Sequence, residues 1–208
     1  VSIGGHGDLP RVLAFLCSGR LPDGRTRRPH DYGLALLVLE VVHRLVPEGE
    51  ADGLARAVRV FLDASGTETT DPAQADVLLR QARAMAEQMP EASRSIMRFV
   101  VARDVVQLGQ RLRPLLPGVG AEAALSPERS PATEAPVFLI HAADDRVVPE
   151  TESVRLASVL GARVARAPYL LVTSQLSHAD LGPPPGVADL WRVLRFSRAW
   201  LRAGRAMP

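Results

Sequence analysis

The sequence predicts an α/β chain in which a small parallel sheet is interrupted by a long helical insertion. Three observations carry this. Val137 to Ile140 is short and uniformly apolar, the pattern of a strand buried on both faces of a parallel sheet. The run ends abruptly in Asp144 and Asp145 and leads through Val-Val-Pro149 into a helical stretch, and the carboxyl ends of strands are where open α/β sheets place their sites. From Asp8 to about Gly118, by contrast, the apolar spacing is helical almost throughout.

Taken in order, Val1 to Ile3 reads as a strand, and Gly4-Gly5-His6-Gly7 turns the chain into a helix capped by Asp8. Helical runs follow at Leu9 to Ser18, Tyr32 to Val46, Glu50 to Ala64, Pro72 to Met89 and Glu91 to Gln107. Pro22, Gly24 and Pro29 separate the first from the second. Pro47 and Gly49 end the second, and Asp71-Pro72 opens the fourth as an N-cap with proline in the first helical position. Arg111 to Leu116 adds a short turn, and the loop Ser126-Pro-Glu-Arg-Ser-Pro131 returns the chain to the sheet. There follow the strand Val137 to Ile140, a helix Pro149 to Leu160, a strand Arg163 to Val172, a loop around His178 and a helix Val187 to Leu201. Leu190, Trp191 and Leu194 of that last helix offer an apolar face to the sheet. Tyr32 to Val46 is apolar on nearly every side, which predicts a helix buried among others.

Composition narrows the function. The 208 residues are 47% hydrophobic and 23% charged, enough for one sizeable core with a large insertion. All 25 basic residues are Arg, with neither Lys nor Asn in the chain, so a pI of 9.3 reflects a formal charge of only +2. Arg is scattered among acids and aromatic content is 4%, which argues against a nucleic-acid surface. The cluster Arg25, Arg27, Arg28 reads as a solvated loop, as do His30 and Asp31 beside it. The longest apolar stretch, Leu34 to Val46, contains Glu40, His43 and Arg44 and is too short and polar for a membrane span. Cys17 is alone, so no intramolecular disulfide forms; it reads as a small buried hydrophobe, and a cytoplasmic location is favoured. Glu40 and His43 share a helix face without a second Glu-x-x-His, and Gly4 to Gly7 lacks the spacing and Lys of a phosphate loop, so neither a metal nor a nucleotide cofactor is expected.

The segment Pro136-Val-Phe-Leu-Ile-His-Ala-Ala-Asp-Asp-Arg-Val-Val-Pro149, followed 33 residues after Asp145 by Ser177-His178-Ala-Asp-Leu181, resembles the acid- and histidine-bearing segments of the α/β-hydrolase superfamily. Ala142 stands where that pattern usually has Gly. The resemblance implies a catalytic pair, Asp145 as triad acid with Asp144 its solvated neighbour, and His178 as base. The acid would fix the imidazole tautomer and stabilise the imidazolium formed when His178 takes a proton from a nucleophile. His141 would orient the turn, and Asp180 would stabilise its own loop. The resemblance also implies a partial α/β-hydrolase core at residues 1–7 and 132–208, with residues 8–131 as a helical cap inserted between strands. The activity implied is hydrolysis of an ester, lactone or related acyl bond in a small molecule with an apolar portion, without a metal or cofactor.

The nucleophile is missing from this pattern, since no Gly-x-Ser-x-Gly occurs in the chain. Ser2 is preceded by a single residue rather than a strand, and Val1 to Ile3 reads better as the strand after the elbow. The expectation is therefore an amino-terminally truncated hydrolase, inactive alone, whose exposed sheet edge invites self-association. The competing expectation is a pseudo-hydrolase or helical interaction module without catalysis.

Overall fold

A computed structural model describes residues 1–131, 133–163, 166–175 and 186–205. It is a mixed α/β structure, mostly helical, with eight α-helices and one three-stranded parallel sheet among the described residues. The strands β1 (Ser2–Ile3), β2 (Phe138–Ala142) and β3 (Tyr169–Thr173) lie in that order across the sheet. Ser2 pairs with Leu139, and Phe138 to Ala142 pair residue by residue with Tyr169 to Thr173.

The helices are α1 (Leu9–Ser18), α2 (Asp31–Leu45), α3 (Glu48–Thr67), α4 (Pro72–Glu87), α5 (Glu91–Val101), α6 (Val105–Leu112), α7 (Glu150–Gly161) and α8 (Val187–Arg205). Two compact units emerge. A sheet unit comprises Val1–Val12, Leu21–Gly24 and Gly120–Pro208, and a helical unit comprises Leu13–Arg20 and Arg25–Val119. No helix among the described residues is long and apolar enough to cross a membrane.

In the sheet unit, β2 buries Phe138 and Leu139, with Leu139 packed against Leu156 and Leu160 of α7. Phe138 stacks on Tyr169 of β3 at a ring separation of 4.6 Å and meets Phe196 of α8 edge-on at 5.7 Å. In the helical unit, α2 and α3 bury Leu34, Val38, Leu54, Val58 and Phe61, and α5 and α6 add Met97, Val100 and Leu112. Local signals set these helices: Asp71 Oδ1 accepts from the Gln74 amide at 3.0 Å ahead of Pro72, as the N-cap reading requires.

Several expectations are corrected. The strand expected to end at Ile140 runs on to Ala142, because His141 and Ala142 keep pairing with Val172 and Thr173. The strand expected from Arg163 begins at Tyr169; Arg163 still turns off α7 with its amide bonded to Leu160 O, and Pro168 supplies no ladder donor. Glu91 to Gln107 is two helices, broken where Arg103 takes a positive φ of 52° and Asp104 caps α6 by accepting from the Gln107 amide at 3.0 Å. An Asp followed three residues later by Gln is a capping-box spacing, the signal that marks this break in the sequence. Helix α2 is buried at Leu34, Leu37, Val38, Val41 and Val42, as expected, and Tyr32, Leu36, Glu40 and His43 form its exposed face. The apolar face of α8 is turned outward as well, with Leu190, Trp191 and Leu194 exposed, while Phe196 and Asp189 make the contacts to β2 and β3.

Candidate active site

Asp145 lies three residues beyond the carboxyl end of β2, in the turn leading to α7, and is 3% exposed. Its Oδ1 accepts from the amides of Val147 at 2.8 Å and Val148 at 3.0 Å, which anchors that oxygen and fixes the orientation of the carboxylate. Asp144 is exposed, as its reading as the solvated neighbour anticipates.

His141 closes the other side of the turn and is fully buried. Its Nε2 lies 2.7 Å from Val148 O, and because a carbonyl only accepts, Nε2 carries a proton. The same nitrogen stands 3.5 Å from Asp145 Oδ2. Nδ1 is 2.7 Å from Ser153 Oγ of α7. The ring therefore ties the end of β2 to the turn and to α7, which is the turn-orienting role expected of it.

His178 and Asp180 fall outside the described residues, so the expected pairing of Asp145 with His178 is not observed. What frames them is described. The Ala143 amide donates to Thr173 O at 3.0 Å, continuing the β2–β3 ladder, so the loop that carries His178 leaves β3 beside the Asp145 turn. Its two ends are tied by Asp189 in the first turn of α8, whose Oδ2 accepts from Thr173 Oγ1 at 2.7 Å and from Ser174 Oγ at 3.3 Å. The Thr173 hydrogen bond foremost, with Gln175, Arg192 and Ser174 adding to it, holds the Asp189 carboxyl below its ordinary range. Arg192 lies 3.8 Å from Asp189 and donates to Val172 O.

Beneath this edge lies an ionic cluster that the sequence reading missed. Arg11 of α1 donates from Nε and Nη2 to Glu152 of α7, at 2.5 and 2.9 Å, and from Nη1 and Nη2 to Glu128, at 3.2 and 2.6 Å. Glu152, 1% exposed, also accepts from the amides of Gly7 and Asp8 at 3.1 Å each, so one carboxylate satisfies the amino end of α1 and the Arg11 fork together. Burial alone would lower the Arg11 guanidinium, but hydrogen bonds and charge from Glu152 and Glu128 outweigh it and hold the group above its ordinary value. Glu152 reads in sequence as an ordinary first-turn acid, and 141 positions separate it from Arg11.

The remaining candidates resolve as follows. Ser2 lies in β1 and pairs with Leu139 of β2. Cys17 is buried, and burial pushes its thiol up to about 12, which keeps it protonated and weakly nucleophilic at neutral pH. His30 and Asp31 are half-buried rather than solvated: His30 Nδ1 caps α2 by accepting from the Tyr32 amide at 3.2 Å, and Asp31 Oδ2 lies 3.4 Å from Arg103 Nε. Glu40 and His43 are exposed on α2. Comparison with protein-family models, with curated proteins and with solved structures finds no match to this chain.

Proposed function

We propose that this chain carries the acid and base of an α/β-hydrolase-like enzyme that cleaves an ester, lactone or related acyl bond. One observation carries the reading. Asp145 presents a buried, doubly anchored carboxylate at the carboxyl edge of β2, and the adjacent strand β3 ends in register beside it, five residues before His178. Five residues of extended chain span at most roughly 17 Å, which bounds how far from the end of β3 the imidazole can stand.

In this proposal Asp145 holds the His178 imidazole in one tautomer while its other nitrogen takes a proton from the nucleophile. The nucleophile adds to the acyl carbon, and His178⁺ then returns the proton to the leaving alcohol. Water, deprotonated by the same imidazole, releases the acid. No Gly-x-Ser-x-Gly occurs in these 208 residues, and this reading assigns the nucleophile to none of them. The helices of residues 8–131 are proposed as the cap, and the substrate as a small molecule with an apolar portion.

A second reading has its own observation. Val187, Trp191, Leu194 and Leu201 of α8 are each at least 60% exposed, a stripe that suits a protein partner in a non-catalytic interaction module. The decisive experiment is turnover of a p-nitrophenyl ester by the native gene product. His178→Ala and Asp145→Asn are expected to lower kcat by about 10³-fold or more without changing the far-ultraviolet spectrum. Unchanged turnover in His178→Ala removes the triad, and absent turnover in the unaltered gene product favours the interaction module.

A further inference from the structure

Helix α8 commits one side to the sheet and leaves another for a partner. Asp189 accepts from Thr173 and Ser174, Arg192 donates to Val172 O, and Phe196 meets Phe138 edge-on, so positions 189, 192 and 196 mark the docked face at helical spacing. Val187, Trp191, Leu194, Arg198 and Leu201 recur at alternating steps of four and three on a different face, and all of them are exposed. Arg195 and Arg202, exposed as well, stand one turn beyond Trp191 and Arg198 and border this stripe. Both tryptophans of the chain, Trp191 and Trp200, belong to α8.

Charge decides what fits the stripe. Residues 190–205 include five Arg and no acid, and Asp189, the acid of α8, is bonded on the docked face. A second copy of the stripe would set arginine against arginine with no carboxylate between them, so an isologous contact is opposed by its own charge. A partner must therefore be anionic. A helix fastened lengthwise to β3 cannot be enclosed by a groove, which is how proteins take up an amphipathic helix; it offers a strip to a flat surface. An anionic bilayer is flat, admits apolar side chains to a shallow depth, places tryptophan at the level of its headgroups and presents phosphate and carboxylate oxygens to arginine. Long arginine side chains reach headgroups from many rotamers, so this surface requires no preset direction of the guanidinium groups.

We propose that the exposed face of α8 binds the surface of an anionic phospholipid membrane, with the helix lying parallel to it. Trp191, Leu194 and Leu201 enter the boundary between headgroups and acyl chains, while Arg195, Arg198 and Arg202 stay among the headgroups. Binding is peripheral, since no helix among the described residues is long and apolar enough to cross a membrane. This inference rests on α8 alone and stands whether or not Asp145 and His178 act in catalysis; it assigns to lipid the stripe that the interaction-module reading assigns to a protein.

The test is co-sedimentation of the native gene product with vesicles of phosphatidylcholine containing about 30% phosphatidylserine, compared with phosphatidylcholine alone. Binding to the anionic vesicles is expected to be at least about tenfold tighter and to fall as salt rises. Arg198→Gln and Arg202→Gln should each weaken it about fivefold, and Trp191→Ala and Leu194→Ala each about tenfold. Val77→Ala and Arg80→Gln, exposed positions of α4, should leave it unchanged. Unchanged circular dichroism establishes that each variant is folded. Absence of binding, equal binding to the two kinds of vesicle, or equal losses in Val77→Ala and Trp191→Ala each overturns the proposal. A dimer in vesicle-free solution that Trp191→Ala dissociates overturns it in favour of a second copy, and tighter binding to polyglutamate than to anionic vesicles overturns it in favour of an acidic protein.

Discussion

The two units keep opposite kinds of side chain in their driest positions. Among the largest fully buried residues described, those of the helical unit are all apolar: Leu34, Val38, Val41, Leu54, Val58, Phe61, Met97, Val100 and Leu112. In the sheet unit the same rank is held by Leu139, His141 and Glu152, so two of three can carry a charge. An apolar core tolerates changes that conserve volume, whereas a buried ionic network depends on each partner being present, because any orphaned charge pays the full cost of desolvation. The sheet unit concentrates its polar order around the carboxyl edge of β2, where the proposed chemistry requires fixed groups.

The contrast breaks most sharply at Glu152. Glu152→Ala strips the Gly7 and Asp8 amides and the Arg11 fork of their acceptor while Glu128 remains, and it should cost about 3–5 kcal/mol. Both Trp191 and Trp200 lie on α8 in the sheet unit, so the loss is read as a lower urea midpoint in tryptophan fluorescence. A change under about 1 kcal/mol would show that the cluster is exposed to water in solution and would dissolve the distinction between the two units.

The helical unit should yield instead to excess volume. Gly109 of α6 approaches Cys17 so closely that a Cβ there would lie 2.5 Å from Cys17 O and 3.1 Å from its Cα. Backbone cannot rotate out of the way as the end of a side chain can. Gly109→Ala is therefore expected to destabilise by about 1–3 kcal/mol despite alanine's better helix propensity, measured by urea unfolding followed by circular dichroism. A stabilised variant would mean that α6 shifts freely on the end of α1.

This division also explains what the sequence disclosed. Apolar spacing located the helical run, and Asp71-Pro72 and Asp8 marked helix starts, because such signals are local. The apolar run before Asp145 identified β2 and the turn that the structure makes around that residue. Periodicity could not reveal which partner covers an apolar stripe, so Leu190, Trp191 and Leu194 were assigned to the sheet although Phe196 makes that contact. Nor could it join Arg11 to Glu128 and Glu152, since those relations depend on residues far apart in the chain. The Asp104 cap is legible through its spacing to Gln107, although Val105 and Val106 continue the apolar pattern and mask the break.

The smallest expected effect is a matter of pH at the base of the His178 loop. The Asp189 carboxyl is held below its ordinary range, first by the Thr173 hydroxyl. A carboxyl depressed in the folded state contributes stability that is fully present above its unfolded value, near 4, and is lost as pH falls through its lower folded value. The docking of α8 against β3 should thus be insensitive to pH from 7 to about 5 and weaken below about 4, seen as a shift in the emission of Trp191 and Trp200. In Asp189→Asn the amide oxygen still accepts from Thr173 but carries no charge to lose, so this acid transition should shrink or disappear while other carboxylates titrate as before. An acid transition of unchanged size in Asp189→Asn would assign it to another group and would remove the Asp189 charge as the source of the acid sensitivity where α8 meets β3.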